Sequence, residues 1–519
     1  MLALGTERLL NSNAPPLDTE IPSLRALETT VQQRISDVEA ELRALLARLD
    51  QMTADLESLI MQQSRIRGAL LPLRRLPPEL LSEVFRWTLP PFSSRRSTKS
   101  TSTRSSPWCL MHVSGLWRSI AASTPSLWAR LETVYNKRKP YALPLLRAHA
   151  ERAQKLYIDF GGSDSFEELP QVEALLALAE HSAKWVSLDI DLIPALLPHV
   201  NKLHGQLPRL QHAWVSWDRD EDPVHHSELV FLDNAPSLAE MGISNTTHFS
   251  QILLPSNLTR YNVVGPWEIH LELLQRNPSL IEVRMVTPND EADAWEGRLS
   301  SKRDIHLPAL RRLCISHGLF LARFDTPSLE EITYEVYPDG TGEYRTLAPL
   351  ASLVAFSSCS LQHIGLVGQP ESSDVRNALR EFPSITGLYI MLADEDGTLP
   401  FDDIISNLVC ADADGAECVG PKLAVLSFGW ENEVAIYLDE NPEAYTALAH
   451  MAATRCKRRQ GCLRKVELLR TEGVWMPPDS AQAAFTDLAK EGVEVLLLTD
   501  EAGERVMDSY EHVAVPVPA

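Results

Sequence analysis

A short motif of the form Leu-x-x-apolar-x-apolar recurs along the second half of this chain. Most copies begin with a turn such as NPSL or TPSL, so each copy predicts a turn that leads into a short strand. Alternate residues of a strand point to opposite faces, and the paired apolar positions therefore predict one buried face. The copies are Trp185-Leu188-Ile190, Leu210-Ala213-Val215, Leu238-Met241-Ile243, Leu258-Tyr261-Val263, Leu280-Val283-Met285, Leu310-Leu313-Ile315, Leu329-Ile332-Tyr334, Leu361-Ile364-Leu366, Ile385-Leu388-Ile390, Leu423-Leu426-Phe428 and Leu463-Val466-Leu468.

The spacing of most copies runs from 19 to 40 residues and overlaps the range of roughly 20–29 residues that is typical of leucine-rich repeats. The pattern resembles a degenerate leucine-rich-repeat array, although the Asn or Cys expected after the third apolar position is missing. Helical patterns such as PQVEALLALAEHSA, EIHLELLQRNP, DVRNALREFP and PDSAQAAFTDLAKEG separate the strands. We therefore expect an irregular leucine-rich-repeat-like α/β solenoid over residues 150–500, with a parallel sheet, helices outside it and GVEVLLLTD as its last strand.

Residues between the apolar positions of each strand would project onto the concave face of such a solenoid. Aromatic and arginine side chains are frequent anchors of protein interfaces, so residues of these kinds are candidates for binding a protein substrate. A shift of one residue reverses the two faces, and each candidate therefore keeps the alternative of ordinary surface or core packing. The candidates are Trp214, Trp217, Asn262, Arg284, Arg312, Tyr389 and Trp430.

Heptad spacing dominates residues 24–66, after a leader at 1–23 that we expect to be disordered. One register contains Leu24, Val31, Val38, Leu45, Met52, Leu59 and Ile66, and the other contains Ile35, Leu42, Leu49 and Leu56. The other positions are rich in Glu, Asp, Arg and Ala, which favours a long helix with a polar outer face. The pattern predicts a coiled coil and leaves two alternatives open: a homodimer through residues 24–66, or a single helix that lies along its own protein.

Residues 73–131 predict a small all-α module. Pro77 and Pro78 open an amphipathic helix in LRRLPPELLSEVFRWTLP, and PWCLMHVSGLWRSIAAS predicts a second helix. The Ser/Thr-rich insert 93–106 separates the two helices, and its composition favours a flexible loop. The following TPSLWARL adds a turn and a further pair of apolar residues.

These residues resemble an F-box, in the variant common among large fungal families. The matching segments are Leu76-Pro77-Pro78-Glu79-Leu80-Leu81, Val113-Ser114, Trp117-Arg118 and Pro125-Ser126-Leu127-Trp128. The insert departs from the family pattern, and Ser114 stands where cysteine is common. The resemblance implies that the module docks on the adaptor subunit of a cullin-RING ubiquitin ligase, while the rest of the chain captures a protein substrate for degradation. The implied adaptor-binding residues are Leu76, Pro77, Leu80, Leu81, Val84, Phe85, Leu110, Val113 and Trp117, each with local core packing as the alternative.

Charge, hydropathy and cysteine usage narrow the partners. A net charge of −22 works against binding the phosphate backbone of nucleic acid. No apolar stretch approaches the roughly 18 residues of a membrane span, so no membrane contact is predicted. The seven cysteines are widely spaced and predict neither a zinc site nor a disulfide framework. Free thiols favour an intracellular location, cytoplasmic or nuclear. Residues 501–519 are expected to be a C-terminal tail.

The sequence contains no GxxxxGK[ST], GxSxG, HExxH or CxxC motif, so we predict no catalytic residue, cofactor or metal site. The His225-His226 pair beside acidic residues is interpreted as a solvated loop. The basic group Arg455, Lys457, Arg458 and Arg459 is either a nuclear-import patch or a solvated helix end. The leading hypothesis is therefore an F-box substrate receptor of a ubiquitin ligase. The alternative is a protein-interaction scaffold, built from a coiled coil and a repeat solenoid, that works without a ligase.

Overall fold

The computed structural model describes residues 11, 13, 15–70, 72–89, 103–134, 142–217, 227–244, 249–287, 303–336, 348–368, 370, 372–392, 401–410, 418–430, 443–457, 463–470 and 479–510. The chain divides into two compact units, Met1–Glu83 and Val84–Ala519. Much of the predicted leader, residues 93–102 of the predicted insert and residues 511–519 of the predicted tail lie outside the described residues, as does the His225-His226 pair.

Helices occupy both units. They are α1 Ile21–Leu70, α2 Pro78–Trp87, α3 Gly115–Ser123, α4 Leu143–Arg152, α5 Glu168–Ala179, α6 Leu197–Asn201, α7 Trp267–Arg276, α8 Ala348–Ser357, α9 Ser372–Glu381, α10 Phe401–Leu408, α11 Glu443–Lys457, α12 Asp479–Lys490 and α13 Asp500–Tyr510. Short 3₁₀ turns lie at Pro72–Arg75, Cys109–His112, Pro125–Trp128, Ser182–Lys184 and Gly318–Arg323. The long helix α1 contains the whole predicted heptad segment, so the helix prediction is confirmed.

The second predicted helix of the small module is divided in two. The Cys109–His112 turn ends before Ser114, and α3 begins at Gly115. Ser114 has extended backbone, and its Oγ accepts a hydrogen bond from the backbone N–H of Trp117 at 3.2 Å. A serine in this position satisfies one of the free N–H groups of the first helical turn. The single helix predicted for residues 107–123 is therefore wrong, because Ser114 starts a new helix.

The part of the chain that the structure describes contains eighteen strands between residues 130 and 498. They are β1 Arg130–Val134, β2 Leu156–Gly161, β3 Trp185–Leu192, β4 His212–Trp217, β5 Ser227–Leu229, β6 Glu240–Ile243, β7 Phe249–Ile252, β8 Arg260–Val264, β9 Glu282–Val286, β10 Ile305–His306, β11 Arg312–Ile315, β12 Phe324–Asp325, β13 Glu331–Val336, β14 His363–Gly368, β15 Gly387–Leu392, β16 Val425–Trp430, β17 Lys465–Arg470 and β18 Glu494–Leu498. Fourteen of them form one sheet in the order β1-β2-β3-β4-β6-β8-β9-β11-β13-β14-β15-β16-β17-β18. Neighbouring strands are parallel, and β5–β7 and β10–β12 form two small parallel pairs.

The predicted apolar frames align across the large sheet. Ala213 pairs with Met241, Met241 with Tyr261, and Tyr261 with Val283. The same register continues through Leu313, Ile332, Ile364, Leu388, Leu426 and Val466. These side chains are buried. Because the side chains of a strand alternate between faces, the shared register places the apolar frames on one face, the apolar face of the sheet.

Helices α5, α7, α9 and α12 lie at the predicted helical stretches, and β18 lies at the predicted last strand. The structure therefore has a long N-terminal helix and a C-terminal parallel sheet with helices, as expected. Two boundaries differ. The sheet begins with β1 at Arg130 and not at residue 150, and residues 501–510 of the predicted tail belong to helix α13.

The predicted closing tryptophan of the small module is a core residue. Trp128 is fully buried, and its Nε1–H donates to the carbonyl oxygen of Ala121 at 2.8 Å. The rings of Trp108 and His149 pack against it with centroid distances of 4.9 and 5.1 Å. Burial lowers the pKa of His149 to about 4, because the buried ring is removed from the water that would stabilise its charged form. His149 is therefore neutral in the folded protein at pH 7.

Cys410 and Cys418 are joined by a disulfide, which contradicts the prediction that no disulfide forms. Their separation of eight positions gave no signal, because connectivity depends on the folded geometry. Arg455 lies beside the same segment. It is buried and donates to the carbonyl oxygens of Leu408 and Val419, both at 2.8 Å. The prediction of a surface basic group is therefore wrong for Arg455, whereas Arg458 and Arg459 lie outside the described residues.

Candidate protein-interaction surfaces

The residues implied to bind a ligase adaptor fall into two classes by exposure. Leu81, Phe85 and Leu110 are buried, and Leu76 and Trp117 are half-buried. Pro77, Leu80, Val84 and Val113 are exposed. Helix α2 therefore turns one apolar stripe inward and a second one outward, as expected for an amphipathic helix whose apolar residues exceed one face.

The buried class is anchored by an aromatic contact. The ring centroids of Phe85 on α2 and Trp117 on α3 lie 4.8 Å apart, at an interplanar angle of 54°. Tilted aromatic pairs at this distance are attractive beyond the area they bury. The contact joins two helices that the predicted insert separates in sequence. Trp117 is therefore partly a core residue of the module.

Large apolar side chains remain exposed on the same helices. In the second unit, Val84 is 41% exposed, Val113 58% and Leu116 49%. Trp87, at the end of α2, is 82% exposed. Exposed apolar side chains on short helices are a common feature of protein-binding surfaces. Leu116 and Trp87 are not among the predicted contact residues. The helical spacing of Leu116 nevertheless predicts that it lies on the apolar face of its helix.

The second surface is the polar face of the large sheet, which lies opposite the apolar frames. Two rows of paired residues cross it. The central row is Glu132, Asp159, Asp189, Trp214, Gly242, Asn262, Arg284, Cys314, Thr333, Gly365, Tyr389, Ser427 and Glu467. The charged row, two residues earlier in each strand, is His212, Glu240, Arg260, Glu282, Arg312, Glu331 and His363.

The charged row is held by arginines that each bridge two carboxylates. Arg260 contacts Glu240 at 3.3 Å and Glu282 at 2.8 Å. Arg312 contacts Glu282 at 3.3 Å and Glu331 at 3.2 Å. Opposite charges on neighbouring strands stabilise the pairing of a sheet. The alternation therefore ties β6, β8, β9, β11 and β13 together and leaves little net charge at this part of the face.

The acidic end of the central row behaves differently. Glu132 and Asp159 face each other on β1 and β2 and are buried. Burial, and then the neighbouring charge of Asp159, raise the pKa of Glu132 to about 7. Glu132 therefore carries a proton for part of the time near neutral pH.

The indole of Trp214 reaches over Gly242, its partner on the neighbouring strand. A Cβ atom at Gly242, the next residue of the central row, would overlap its six-membered ring. Gly242 therefore provides the space that lets the indole cover the neighbouring strand. Farther along the row, Arg284 donates to Asn262 Oδ1 at 3.4 Å. Trp214 and Arg284 are both partly exposed, whereas Asn262 is buried.

Two predicted substrate-binding residues lie on the wrong face. Trp217 pairs with Leu192, and its ring packs against Phe249 with centroids 5.5 Å apart. Trp430 is fully buried and lies 6.2 Å from the ring of Tyr445 on α11. Each tryptophan follows an apolar frame residue by two positions, Val215 and Phe428, and the period of two places it on the apolar face. The prediction that Trp217 and Trp430 face a substrate is therefore wrong.

The remaining two candidates, Arg312 and Tyr389, contact the C-terminal helix α13. Arg312 Nη2 donates to the carbonyl oxygen of Ser509 at 2.8 Å, and Tyr389 stacks on Tyr510 with ring centroids 4.4 Å apart. A small cleft lies next to Tyr510, with Thr333, His363 and Ser427 among its lining residues. Helix α13 thus covers the polar face from β11 to β17.

Sequence reasoning missed several residues of this face. Thr333, Ser427 and Glu467 occupy the same position of their frames as Tyr389, between the two apolar residues, so the motif itself contained the signal. Tyr510 had no such signal, because its contacts lie on strands far away in the sequence.

The described residues contain no group of three or more His, Cys, Asp or Glu side chains arranged to hold a metal ion. Among them, too, no helix is both long and apolar enough to cross a membrane.

Comparison with known proteins assigns no family. No protein-family model matches the chain, and no curated protein matches it. Among solved structures, the chain is similar to a Bacteroides fragilis protein that was determined by a structural genomics consortium. That match has 13% identity and a TM-score of 0.27, and it covers 62% of this chain and 76% of the other. A likeness at this level carries no argument about fold or function.

Proposed function

We propose that this chain is a non-catalytic substrate receptor of a cullin-RING ubiquitin ligase. Its α2 and α3 helices form an F-box-like module that docks on the ligase adaptor, and its parallel sheet forms an irregular leucine-rich-repeat-like solenoid that presents a protein substrate. The resemblance of the sequence to F-boxes motivates the first part. The shared register of the apolar frames supports the second, because stacked repeats bury a continuous core in this way.

One observation carries the docking proposal: α2 and α3 pack on each other and still expose apolar side chains. Phe85 is buried and its ring contacts that of Trp117, which holds the two helices together. Val84, Val113 and Leu116 are about half exposed. Interface anchors are apolar side chains on a rigid support, and these residues meet that description.

Binding to the purified ligase adaptor tests this proposal. Full-length protein is compared with the variants Val84→Asp and Leu116→Asp, which place a charge on the exposed side of each helix. Each should weaken binding at least about 30-fold, the loss typical of a central interface residue. Leu169→Asp is the matched control, because Leu169 is 68% exposed on α5. Adaptor binding that is unaffected by both α2 and α3 variants would contradict the proposal.

Self-association through α1 is a second function that a specific observation favours. None of the 50 residues of α1 is buried. Its heptad leucines are largely exposed, for example Leu42 at 57% and Leu49 at 59%. A helix with an apolar seam of this length gains stability when a second helix covers the seam. A scaffold that dimerises through α1 and binds partners without a ligase is therefore the alternative to the receptor.

A further inference from the structure

We infer that α13 is an internal occupant of the substrate-binding face, and that the face binds a short helical segment with an apolar residue and a tyrosine three positions apart at its C-terminal end. This inference rests on the proposed function, because it names the part of the sheet that receives the substrate. Arg312 and Tyr389, which the sequence predicts as substrate contacts, are both engaged by α13. A substrate that carries such a segment would displace α13.

Apolar packing fixes the middle of α13. Met507 is buried against Val367, Tyr389, Met391 and Leu469 of the sheet. A Cβ atom at Gly429 would lie 3.3 Å from Met507 Cγ, so the missing side chain leaves the room that Met507 fills. The sheet therefore offers a shallow apolar pocket for one long, unbranched side chain.

Tyr510 occupies a second, more polar pocket. Its ring stacks on Tyr389 at an interplanar angle of 15°. Its hydroxyl donates to Glu467 Oε2 at 2.7 Å, and the hydroxyl of Ser427 donates to the same oxygen at 2.6 Å. A buried carboxylate that accepts from a phenol selects tyrosine over phenylalanine, because phenylalanine would leave the acceptor without that partner.

Electrostatics are consistent with a charged acceptor at this pocket. Burial alone would raise the pKa of Glu467, but hydrogen bonds from Lys465, Ser427 and Tyr510 outweigh it, so that its pKa is lowered. Lys465 Nζ lies 2.5 Å from Glu467 Oε1. Glu467 is therefore ionised at neutral pH and forms a strong, charge-assisted hydrogen bond with the tyrosine.

The sheet also caps the C-terminal end of α13. The last carbonyl groups of a helix have no partner within the helix. Here, Arg312 donates to the carbonyl of Ser509 at 2.8 Å, and Thr333 Oγ1 donates to the carbonyl of Tyr510 at 3.1 Å. A guanidinium at this end also interacts favourably with the helix dipole. The face therefore recognises the direction of the helix as well as its side chains.

The apolar frames of the sheet lie on the face opposite the one that α13 covers. The apolar frames of β14 to β17, which contain Ile364, Leu388, Leu426 and Val466, are buried on the opposite face from Tyr389. Only one residue, Thr499, separates β18 from α13. Loss of α13 would expose Tyr389, Met391 and Leu469 and leave the apolar face intact. We expect this result if α13 occupies a binding site.

A labelled peptide tests the inference directly. The probe is an amidated, fluorescein-labelled peptide of residues 499–510, and its anisotropy is followed on titration with the full chain and with a chain that ends at Leu498. The shortened chain should bind with micromolar affinity, and the full chain at least tenfold more weakly because its own helix competes. A peptide with Tyr510→Phe should bind about tenfold more weakly than the unchanged peptide, since it lacks the hydrogen bond to Glu467.

A full-length variant replaces the truncation if the truncation unfolds. In Gly503→Ala, the new Cβ would overlap the carbonyl oxygen of Arg470 and lie 2.7 Å from that of Leu498, so α13 cannot approach the sheet. This variant should bind the peptide as tightly as the shortened chain does, whereas Ala502→Ser, on an exposed residue next to Gly503, should bind it as weakly as the unchanged full chain.

Equal peptide binding by the full chain and by the opened chains would overturn the inference, as would no binding by folded opened chains. Unfolding of the whole sheet in both variants would overturn it as well, because α13 would then be part of the core. Adaptor binding is measured separately, so peptide binding without adaptor binding would contradict only the ligase function.

Discussion

The rings of Phe85 and Trp117 pack 4.8 Å apart and join helices α2 and α3 into one module. This contact separates two roles that the sequence could not distinguish. Phe85 is fully buried, while its neighbour Val84 is 41% exposed. Phe85 therefore holds the two helices together, whereas its neighbour Val84 contributes to their outer surface.

The first prediction follows from that difference in burial. Phe85→Ala should lower the free energy of unfolding by about 3 to 5 kcal/mol, the usual loss for a buried aromatic residue. Val84→Ala should change it by less than about 0.5 kcal/mol, as for most exposed residues. Denaturant unfolding followed by circular dichroism measures both values. Equal losses for the two variants would show that α2 is not oriented as described.

The packing of Trp214 over Gly242 gives the second prediction. Gly242→Ala places a Cβ where the indole lies, so the ring must move, and the protein should lose about 1 to 3 kcal/mol of stability. Trp214 should become more exposed, which shifts tryptophan fluorescence to longer wavelength. Gly115→Ala is the matched control, because a Cβ there meets nothing within 4 Å. An unchanged fluorescence spectrum in Gly242→Ala would contradict the described position of Trp214.

The buried ring of His149 gives a prediction about how the stability of the fold depends on pH. Its pKa is lowered to about 4 by burial, with the charge of Arg152 acting in the same direction. Between pH 6.5 and 4, the unfolded state therefore binds a proton that the folded state does not, and stability falls as pH falls through this window. The loss should approach about 3 kcal/mol.

The measurement is the free energy of unfolding of the natural chain minus that of His149→Gln, at several pH values. Taking the difference removes the opposite contribution of Glu132, whose raised pKa stabilises the folded state as pH falls. The difference should be constant above pH 6.5 and should shrink below it. A difference independent of pH would mean that His149 is not buried as a neutral ring.

The amino-acid pattern predicted much of the fold and less of the binding surface. The apolar frames are identifiable from the sequence because the described strands that carry them bury the same two positions, and Ala213, Tyr261 and Leu388 accordingly share one register. The period of two also predicts the face of Trp217 and Trp430, because the spacing of a residue from the apolar frame, and not its aromatic character, determines the face on which it lies. Ser114 ended a predicted helix because local capping outweighed the longer helical periodicity.

Long-range contacts account for the rest. Tyr510 reaches Thr333, which is 177 residues earlier, and Ser509 reaches Arg312, which is 197 residues earlier. Neither contact leaves a local pattern, since α13 is a short helix with few apolar residues. The disulfide between Cys410 and Cys418 likewise depends on the folded backbone beside it, and Arg455 binds that backbone at the carbonyl oxygen of Leu408.

The exposed seam of α1 gives the fourth prediction. Deletion of residues 24–66 should halve the molar mass measured by light scattering, because the covering helix comes from a second copy. The double variant Leu42→Asp and Leu49→Asp should have the same effect, since both residues lie in the seam and are exposed in the single chain. Ala47→Asp, on the outer side of the heptad, is the control. A natural chain that is already monomeric would contradict the dimer.

Competition for the ligase adaptor tests the central claim most directly. The adaptor subunit is immobilised, the full-length chain is bound, and an isolated F-box domain from an unrelated receptor is added as competitor. The account predicts that the chain binds and that the competitor displaces it completely, because both use the same adaptor surface. Failure of the folded chain to bind, or binding that the competitor leaves unchanged, would contradict the receptor function and favour the scaffold.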